Sequence, residues 1–141
     1  NVTYTGAFGD TALAAEAANT QIKAGADVLT GSAQQVVGSI QVAKDNGVYW
    51  FGSQSDQSPL ASDVVVMSQV YDWTAVIKDM INSHNSGTLG GKVFTMTLND
   101  GGQTTVYNEQ STVPADKLAE IKAAVDTAAA GIKDGSIVPA K

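Results

Sequence analysis

The chain has 141 residues, about the size of one domain, and its 43% hydrophobic and 16% charged residues are typical of a compact globular protein. A net charge of -6 leaves no basic surface for nucleic acid, which we therefore exclude as a partner. The sequence has no cysteine for disulfides or metal sites, and no run of about 18 apolar residues that would span a bilayer.

Strand-like and helix-like segments alternate along the chain. Runs rich in β-branched and aromatic residues predict strands at 2–5, 26–30, 48–52, 64–70 and 92–98, with a weaker one at 103–107. Helical spacing of apolar residues predicts helices at about 11–24, 33–46, 72–86 and 115–134. This alternation indicates a three-layer α/β fold, a parallel sheet flanked by helices, and we expect one α/β domain over residues 1–141.

Helix ends and faces can also be predicted from single residues. Ser32 is the expected cap of the second helix, Gly25 provides a left-handed stop after the first helix, and Gly135 marks the end of the last one. The third helix carries the clearest apolar stripe, which we expect to face the core; it consists of Trp73, Val76, Ile77, Met80 and Ile81.

Polar loops follow the first three predicted strands, at 6–10, 31–35 and 54–57. In a parallel sheet the carboxyl ends of the strands meet at one edge, where helix amino termini also point and ligands bind. The pattern therefore predicts a small-molecule site built from these loops.

The first loop holds two candidate ligand-binding residues. Phe8 lies between glycines, away from any core spacing, and offers a ring face for a planar heterocycle; burial under a neighbouring loop is the alternative. Asp10 precedes a helix, so it either contacts a ligand or only caps that helix.

The later loops hold four more candidates. Asp56, with Gln54 and Gln57 beside it, offers a carboxylate and amides to a polyhydroxylated ligand such as ribose, unless it only shapes a turn. Gln34 starts a helix and either meets the ligand or is solvated. Tyr71 is expected to line the pocket, while Trp73 joins the core stripe.

The segments that could suggest catalysis do not complete any of the motifs considered. The sequence Gly90-Gly91-Lys92 is followed by Val93 where a phosphate-binding loop needs Ser or Thr, and GAFG at 6–9 is too short for a dinucleotide fingerprint. His84 has no second histidine to form a metal site or a triad. We therefore predict no catalytic residue, no metal ligand and no cofactor, and a protein that is not an enzyme.

Several segments carry a family resemblance that covers nearly the whole chain: TGAFGD (5–10), AANTQIKAGADVL (17–29), AQQVVGSIQVAKDNGV (33–48), GSQSDQ (52–57) and IKDGSIVP (132–139). In these segments the chain resembles the carboxyl-terminal half of the basic membrane protein family, the purine nucleoside receptor lipoproteins. These are substrate-binding proteins of ABC transporters.

The resemblance implies one lobe of a type I periplasmic-binding fold, with a return segment from about 103, and a fragment of a two-lobed protein. The two lobes would close around a nucleoside-like ligand. The full-length protein would lie at the bacterial envelope, either periplasmic or lipid-anchored, and would serve a transporter permease there. We expect the isolated lobe to self-associate through its exposed cleft and strand edges.

The resemblance also implies that Phe8 stacks on the base and that the 54–57 loop holds the ribose hydroxyls. Here Gln54 stands in place of the family's first aspartate, and Tyr71 in place of a lysine. These replacements leave the identity of the ligand open between a different nucleoside and another small polar molecule. A ligand-sensing domain of a signalling protein is the alternative function, and a flavodoxin-like enzyme is a weaker one.

Overall fold

The structure is a computed structural model that describes residues 1–139. The elements in chain order are α1 (Thr11–Lys23), β1 (Val28–Thr30), α2 (Val36–Asn46), β2 (Tyr49–Gln54), a 3-10 helix (Ser58–Leu60), β3 (Val65–Tyr71), α3 (Thr74–Asn85), β4 (Gln103–Tyr107) and α4 (Ala115–Asp134). The predicted α/β fold is confirmed.

The sheet has four strands in the order β1-β2-β3-β4. β1 pairs in parallel with β2, with Leu29 opposite Trp50, and β2 pairs in parallel with β3, with Gly52 opposite Ser68. Parallel pairing brings the carboxyl ends of β1 and β2, and the loops that follow them, to one edge of the sheet. This edge holds the cavity described below.

The chain divides into two compact units. Unit 1 consists of Asn1–Val70 with Thr105–Leu118, and unit 2 consists of Tyr71–Thr104 with the chain from Ala119 onward. The large side chains of the core are buried in unit 1; they include Trp50, Ile40, Val65 and Val66.

Small residues bring α1 and α2 close together in unit 1. A Cβ on Gly38 would lie 2.1 Å from the carbonyl oxygen of Thr11, so only glycine fits at this contact. Ser39 Oγ adds a hydrogen bond to Ala14 O at 3.0 Å. The alanine-rich face of α1 allows this approach because it carries no large side chain.

All four predicted helices are present, as are the predicted strands at 26–30, 48–52, 64–70 and 103–107. The expected cap of α2 is wrong: the helix starts later, its N-cap residue is Gln35, and no side chain caps it. The left-handed residue after α2 is Gly47, with φ of 65°. Helix existence was thus more predictable than helix starts.

Two predicted strands, at 2–5 and 92–98, are not strands in the structure. Residues 2–5 are fixed by side chains instead, as Gln21 Nε2 donates to Thr3 Oγ1 at 2.6 Å and Thr5 Oγ1 bonds the Gln35 side chain. Strand propensity describes how well a residue fits a sheet, and neither segment pairs with a strand among residues 1–139.

The apolar stripe of α3 is also not buried as predicted. Val76 is buried, but the other four members are 46–53% exposed; these are Trp73, Ile77, Met80 and Ile81. The described part of unit 2 does not cover this face of the helix. None of the described helices combines the length and the apolar composition needed to cross a membrane.

Candidate functional site

A cavity of about 340 Å³ opens in unit 1 at the carboxyl ends of β1 and β2. It is bounded by the loop after β1, the first turn of α2, the end of β2 and the 3-10 helix. The polar lining residues are Gln34, Ser53, Gln54, Ser55, Asp56 and Gln57, and the larger apolar ones are Val36, Val37, Pro59 and Leu60. Three predicted ligand-binding residues, Gln34, Gln54 and Asp56, therefore lie together.

Two side-chain hydrogen bonds join the loops on either side of this cavity. Gln54 Nε2 donates to Ser32 Oγ at 3.0 Å, and Ser53 Oγ donates to Gly31 O at 2.7 Å. Ser32, which was expected to cap α2, is instead an acceptor for Gln54. These two bonds link the loop after β1 to the end of β2.

Backbone strain is concentrated at the same place. Among the described residues other than glycine, positive φ angles occur at Ala33 (134°) and Gln54 (73°), and both line the cavity. Such angles are unfavourable for residues with a side chain and persist where the surroundings enforce them, often at binding sites. No sequence pattern predicts that Gln54 adopts this conformation.

The base of the cavity is built on Gln57, which is 7% exposed. Its Oε1 accepts a bond from Trp50 Nε1 at 2.7 Å, and its Nε2 donates to Ser53 O at 3.0 Å. Its backbone N–H donates to Ser68 Oγ at 3.0 Å. Both ends of this amide are therefore used by the protein, so Gln57 supports the loop. A buried tryptophan needs an acceptor for its indole N–H, and this need of Trp50 was the sequence signal from which the role of Gln57 could have been predicted.

Asp56 and Gln34 present polar groups to the cavity from opposite loops. Asp56 Oδ1 accepts the Ser58 N–H at 3.0 Å, so the turn role considered for this residue is present, although it also lines the cavity. Gln34 is exposed. Within residues 1–139, Asp56 is the only charged side chain in the lining, which contains no lysine, arginine or histidine.

The loop at 6–10 reaches the start of α2 but is not part of the cavity lining. Phe8 O accepts the Gln35 N–H at 2.9 Å, and the Phe8 side chain is 80% exposed, so its predicted alternative, burial under a loop, is wrong. Asp10 caps α1, because its Oδ1 accepts the N–H groups of Ala12 and Leu13, both at 3.0 Å.

Tyr71 belongs to unit 2, where its ring contacts Trp73 edge to face with centroids 6.3 Å apart. Trp73 precedes α3 and is 53% exposed, so its predicted place in the core is wrong. Tyr71 and Trp73 therefore form an aromatic pair within unit 2.

Unit 2 has a second, smaller cavity of about 260 Å³, lined by Met80, His84, Leu89, Lys92 and Phe94 among others. Lys92 Nζ lies 4.8 Å from the Phe94 ring centroid and 3.3 Å from Ser83 Oγ. None of the six predicted ligand-binding residues lies here. The cavity of unit 1 is therefore the stronger candidate.

The fold is that of a periplasmic-binding-type domain. A family model described as "ABC transporter substrate-binding protein PnrA-like", Bmp, matches residues 1–134. The chain belongs to this family, as its sequence resemblance indicated. The family binds solutes and is not enzymatic. No curated protein matches the sequence.

Solved structures share this fold at low sequence identity. The chain is similar to a transcriptional activator of the comK gene from Bacillus halodurans, with 21% identity and a TM-score of 0.77 over 99% of this chain and 48% of that one. A solute-binding protein of an ABC transporter from Conexibacter woesei DSM 14684 gives 21% and 0.68, over 98% of this chain and 45% of that one. Another, from Aeropyrum pernix K1, gives 22% and 0.65, over 88% and 34%. The chain thus spans less than half the length of each.

Proposed function

We propose that the cavity of unit 1 forms part of the binding site for a nucleoside-like small molecule. The observation that carries this proposal is the convergence of Gln34, Gln54 and Asp56 on one cavity, held by the bond between Gln54 and Ser32. Amide and carboxylate oxygens accept hydrogen bonds from hydroxyl groups, and a pentose presents several of these.

Three further ligand contacts, Phe8, Asp10 and Tyr71, are proposed from their places in the sequence, and Phe8 also from the family resemblance. The exposed Phe8 ring is accessible for stacking on a base, which is worth on the order of 1–3 kcal/mol for bases on protein aromatics. Asp10 and Tyr71 are proposed as polar contacts. In the lining itself, Val37 and Leu60 are 49% and 47% exposed and offer apolar surface to the ligand.

We further propose that two lobes of the full-length protein close around the ligand. The protein would then deliver this ligand to an ABC-transporter permease. Family membership supports a location at the bacterial cell envelope, periplasmic or lipid-anchored as a lipoprotein. Closure between lobes would remove more of the ligand from water than the cavity of unit 1 does alone.

One observation favours a second candidate function, a ligand-sensing domain of a signalling protein. The structure from Bacillus halodurans, which has the same fold, is described as a transcriptional activator. The same cavity would then bind a ligand without transport. Solute uptake that requires the protein distinguishes transport from sensing, because a sensor would change gene expression and leave uptake intact.

We also propose that the isolated chain self-associates. The exposed apolar face of α3 supports this, since Trp73, Ile77 and Ile81 are each about half exposed, and Leu89 and Val93 in the same unit are 79% and 87% exposed. A second copy of the chain would cover such surface. The net charge of -6 opposes association at low salt.

Thermal denaturation tests the ligand proposal. Full-length protein and this chain are melted with nucleosides, free bases and pentoses, because a ligand that binds the native state raises its stability by RT ln(1 + [L]/Kd). We expect nucleosides to raise the melting temperature of the full-length protein and to affect the isolated chain much less. No shift of the full-length protein with any nucleoside would contradict the proposal.

A further inference from the structure

Ser32 is linked to the cavity of unit 1 through another residue. Its hydroxyl accepts the hydrogen bond from Gln54 Nε2 at 3.0 Å, while Ser32 itself is not part of the cavity lining. Any effect of this hydroxyl on a ligand therefore passes through the Gln54 amide.

The bond to Ser32 determines which end of the Gln54 amide is available to a ligand. With Nε2 engaged, Oε1 is the end of the amide that can accept a hydrogen bond from a ligand. The positive φ of 73° at Gln54 fixes the backbone from which this side chain extends. A carboxamide held in this way accepts a hydrogen bond at this point of the cavity.

The neighbouring lining has the same polarity. Asp56 contributes a carboxylate, which accepts only, and the Ser53 hydroxyl donates to Gly31 O. Gln34 adds an amide that donates or accepts. Because no cationic side chain lies in the lining among the residues that the structure describes, a negatively charged ligand has no charged partner there.

We propose that Ser32 is a positioning residue: by holding the Gln54 NH2 group it presents the amide oxygen to the cavity, which thereby selects a solute that carries a hydroxyl donor at this point and no negative charge. The inference rests on the proposed function, because it concerns the solute that the same cavity binds. It assigns specificity to a residue outside the lining.

The test measures a preference between paired ligands by titration calorimetry on the full-length protein. Adenosine, inosine, guanosine and uridine are each compared with their 2′,3′-dideoxy forms, which lack the 2′ and 3′ hydroxyl donors. The variants are Ser32→Ala, which removes the bond, Ser32→Thr, which keeps a hydroxyl, and Gln54→Leu. We expect Ser32→Ala to lower the preference for the hydroxylated ligand about threefold to tenfold, the range for one hydrogen bond.

The expected pattern separates positioning from a general structural role. Ser32→Thr should retain the preference, and Ser32→Ala combined with Gln54→Leu should lower it no further than Gln54→Leu alone. If Ser32→Ala weakens both members of each pair equally, or leaves the preference unchanged, the inference is wrong.

A ligand-free measurement keeps the inference separate from nucleoside binding. NMR of the Gln54 side-chain amide should show faster exchange with solvent in Ser32→Ala than in wild type or Ser32→Thr. An unchanged amide overturns the inference whether or not any nucleoside binds. If wild type binds none of the four nucleosides, the proposed ligand class fails, and the amide measurement alone decides whether Ser32 holds Gln54.

Discussion

The indole N–H of Trp50 donates a 2.7 Å hydrogen bond to Gln57 Oε1, which ties the loop after β2 to the buried core of unit 1. Trp50 is 1% exposed and Gln57 is 7% exposed, so neither group has ready access to water as a replacement partner. The position of the cavity base thus depends on a core contact.

Replacing Gln57 with alanine should lower the free energy of unfolding by about 1–3 kcal/mol, because it leaves a buried indole N–H without an acceptor. The measurement is urea denaturation followed by tryptophan fluorescence. The control is Gln110→Ala, which removes an exposed amide of the same size in unit 1. Equal stability of the two variants would mean that the bond to Trp50 contributes nothing.

The Asp100 carboxylate accepts the backbone N–H groups of Gly102 at 2.8 Å and of Thr97 at 3.0 Å. These bonds, the one from Gly102 first, lower the pKa of Asp100 below its ordinary value of 3.8. A lowered pKa means that its contribution to stability is present above pH 3.8 and is lost as the pH falls through the folded-state pKa.

NMR titration of the Asp100 side-chain carbon should therefore give a midpoint below 3.8 in the folded protein. The same residue in urea-unfolded protein should titrate at its ordinary value. Asp100→Asn should remove this part of the acid dependence of stability. Coincident midpoints in the folded and unfolded states would contradict the role of the Gly102 and Thr97 bonds.

Asp56→Asn should weaken nucleoside binding by about 1 kcal/mol, the typical difference between a charged and a neutral hydrogen bond. Folding should change little, because an asparagine oxygen can still accept the Ser58 N–H. Calorimetry on the full-length protein measures this loss. The control is Asp79→Asn, which removes an exposed carboxylate of α3 in unit 2. Equal affinity of both variants would exclude Asp56 as a ligand contact.

Ile77→Asp should reduce self-association of the isolated chain, because it places a charge on the exposed apolar face of α3. Light scattering after size exclusion at increasing protein concentration gives the mass. Asn82→Asp adds the same charge elsewhere on α3 and should leave association unchanged. A wild-type chain that stays monomeric at high concentration would contradict the proposed self-association.

The fold was predictable where short-range signals decide the structure. The spacing of apolar residues located all four helices, and Gly135, with φ of 81°, follows α4 as expected. The strands predicted at 2–5 and 92–98 are absent, because propensity does not show whether a segment has a neighbouring strand to pair with. Tyr4 and Val93 are 92% and 87% exposed, without a neighbouring strand among residues 1–139.

The candidate site was predictable only in part. Parallel strands bring the loops that follow them to one edge of the sheet, and this rule predicted that Gln34, Gln54 and Asp56 lie close together. The bond between Ser32 and Gln54 depends on long-range packing that no local pattern encodes. Ligand contact by the three cavity residues remains a prediction, as it does for Phe8, Asp10 and Tyr71.

The central claim, that the cavity of unit 1 binds a nucleoside-like solute, is tested most directly by mapping amide chemical shifts of the full-length protein during titration with adenosine and inosine. The account predicts saturable shifts concentrated at residues 33–37 and 53–60, which surround the cavity. Shifts confined to the second cavity at residues 80–94, or no shifts with either nucleoside, would contradict it.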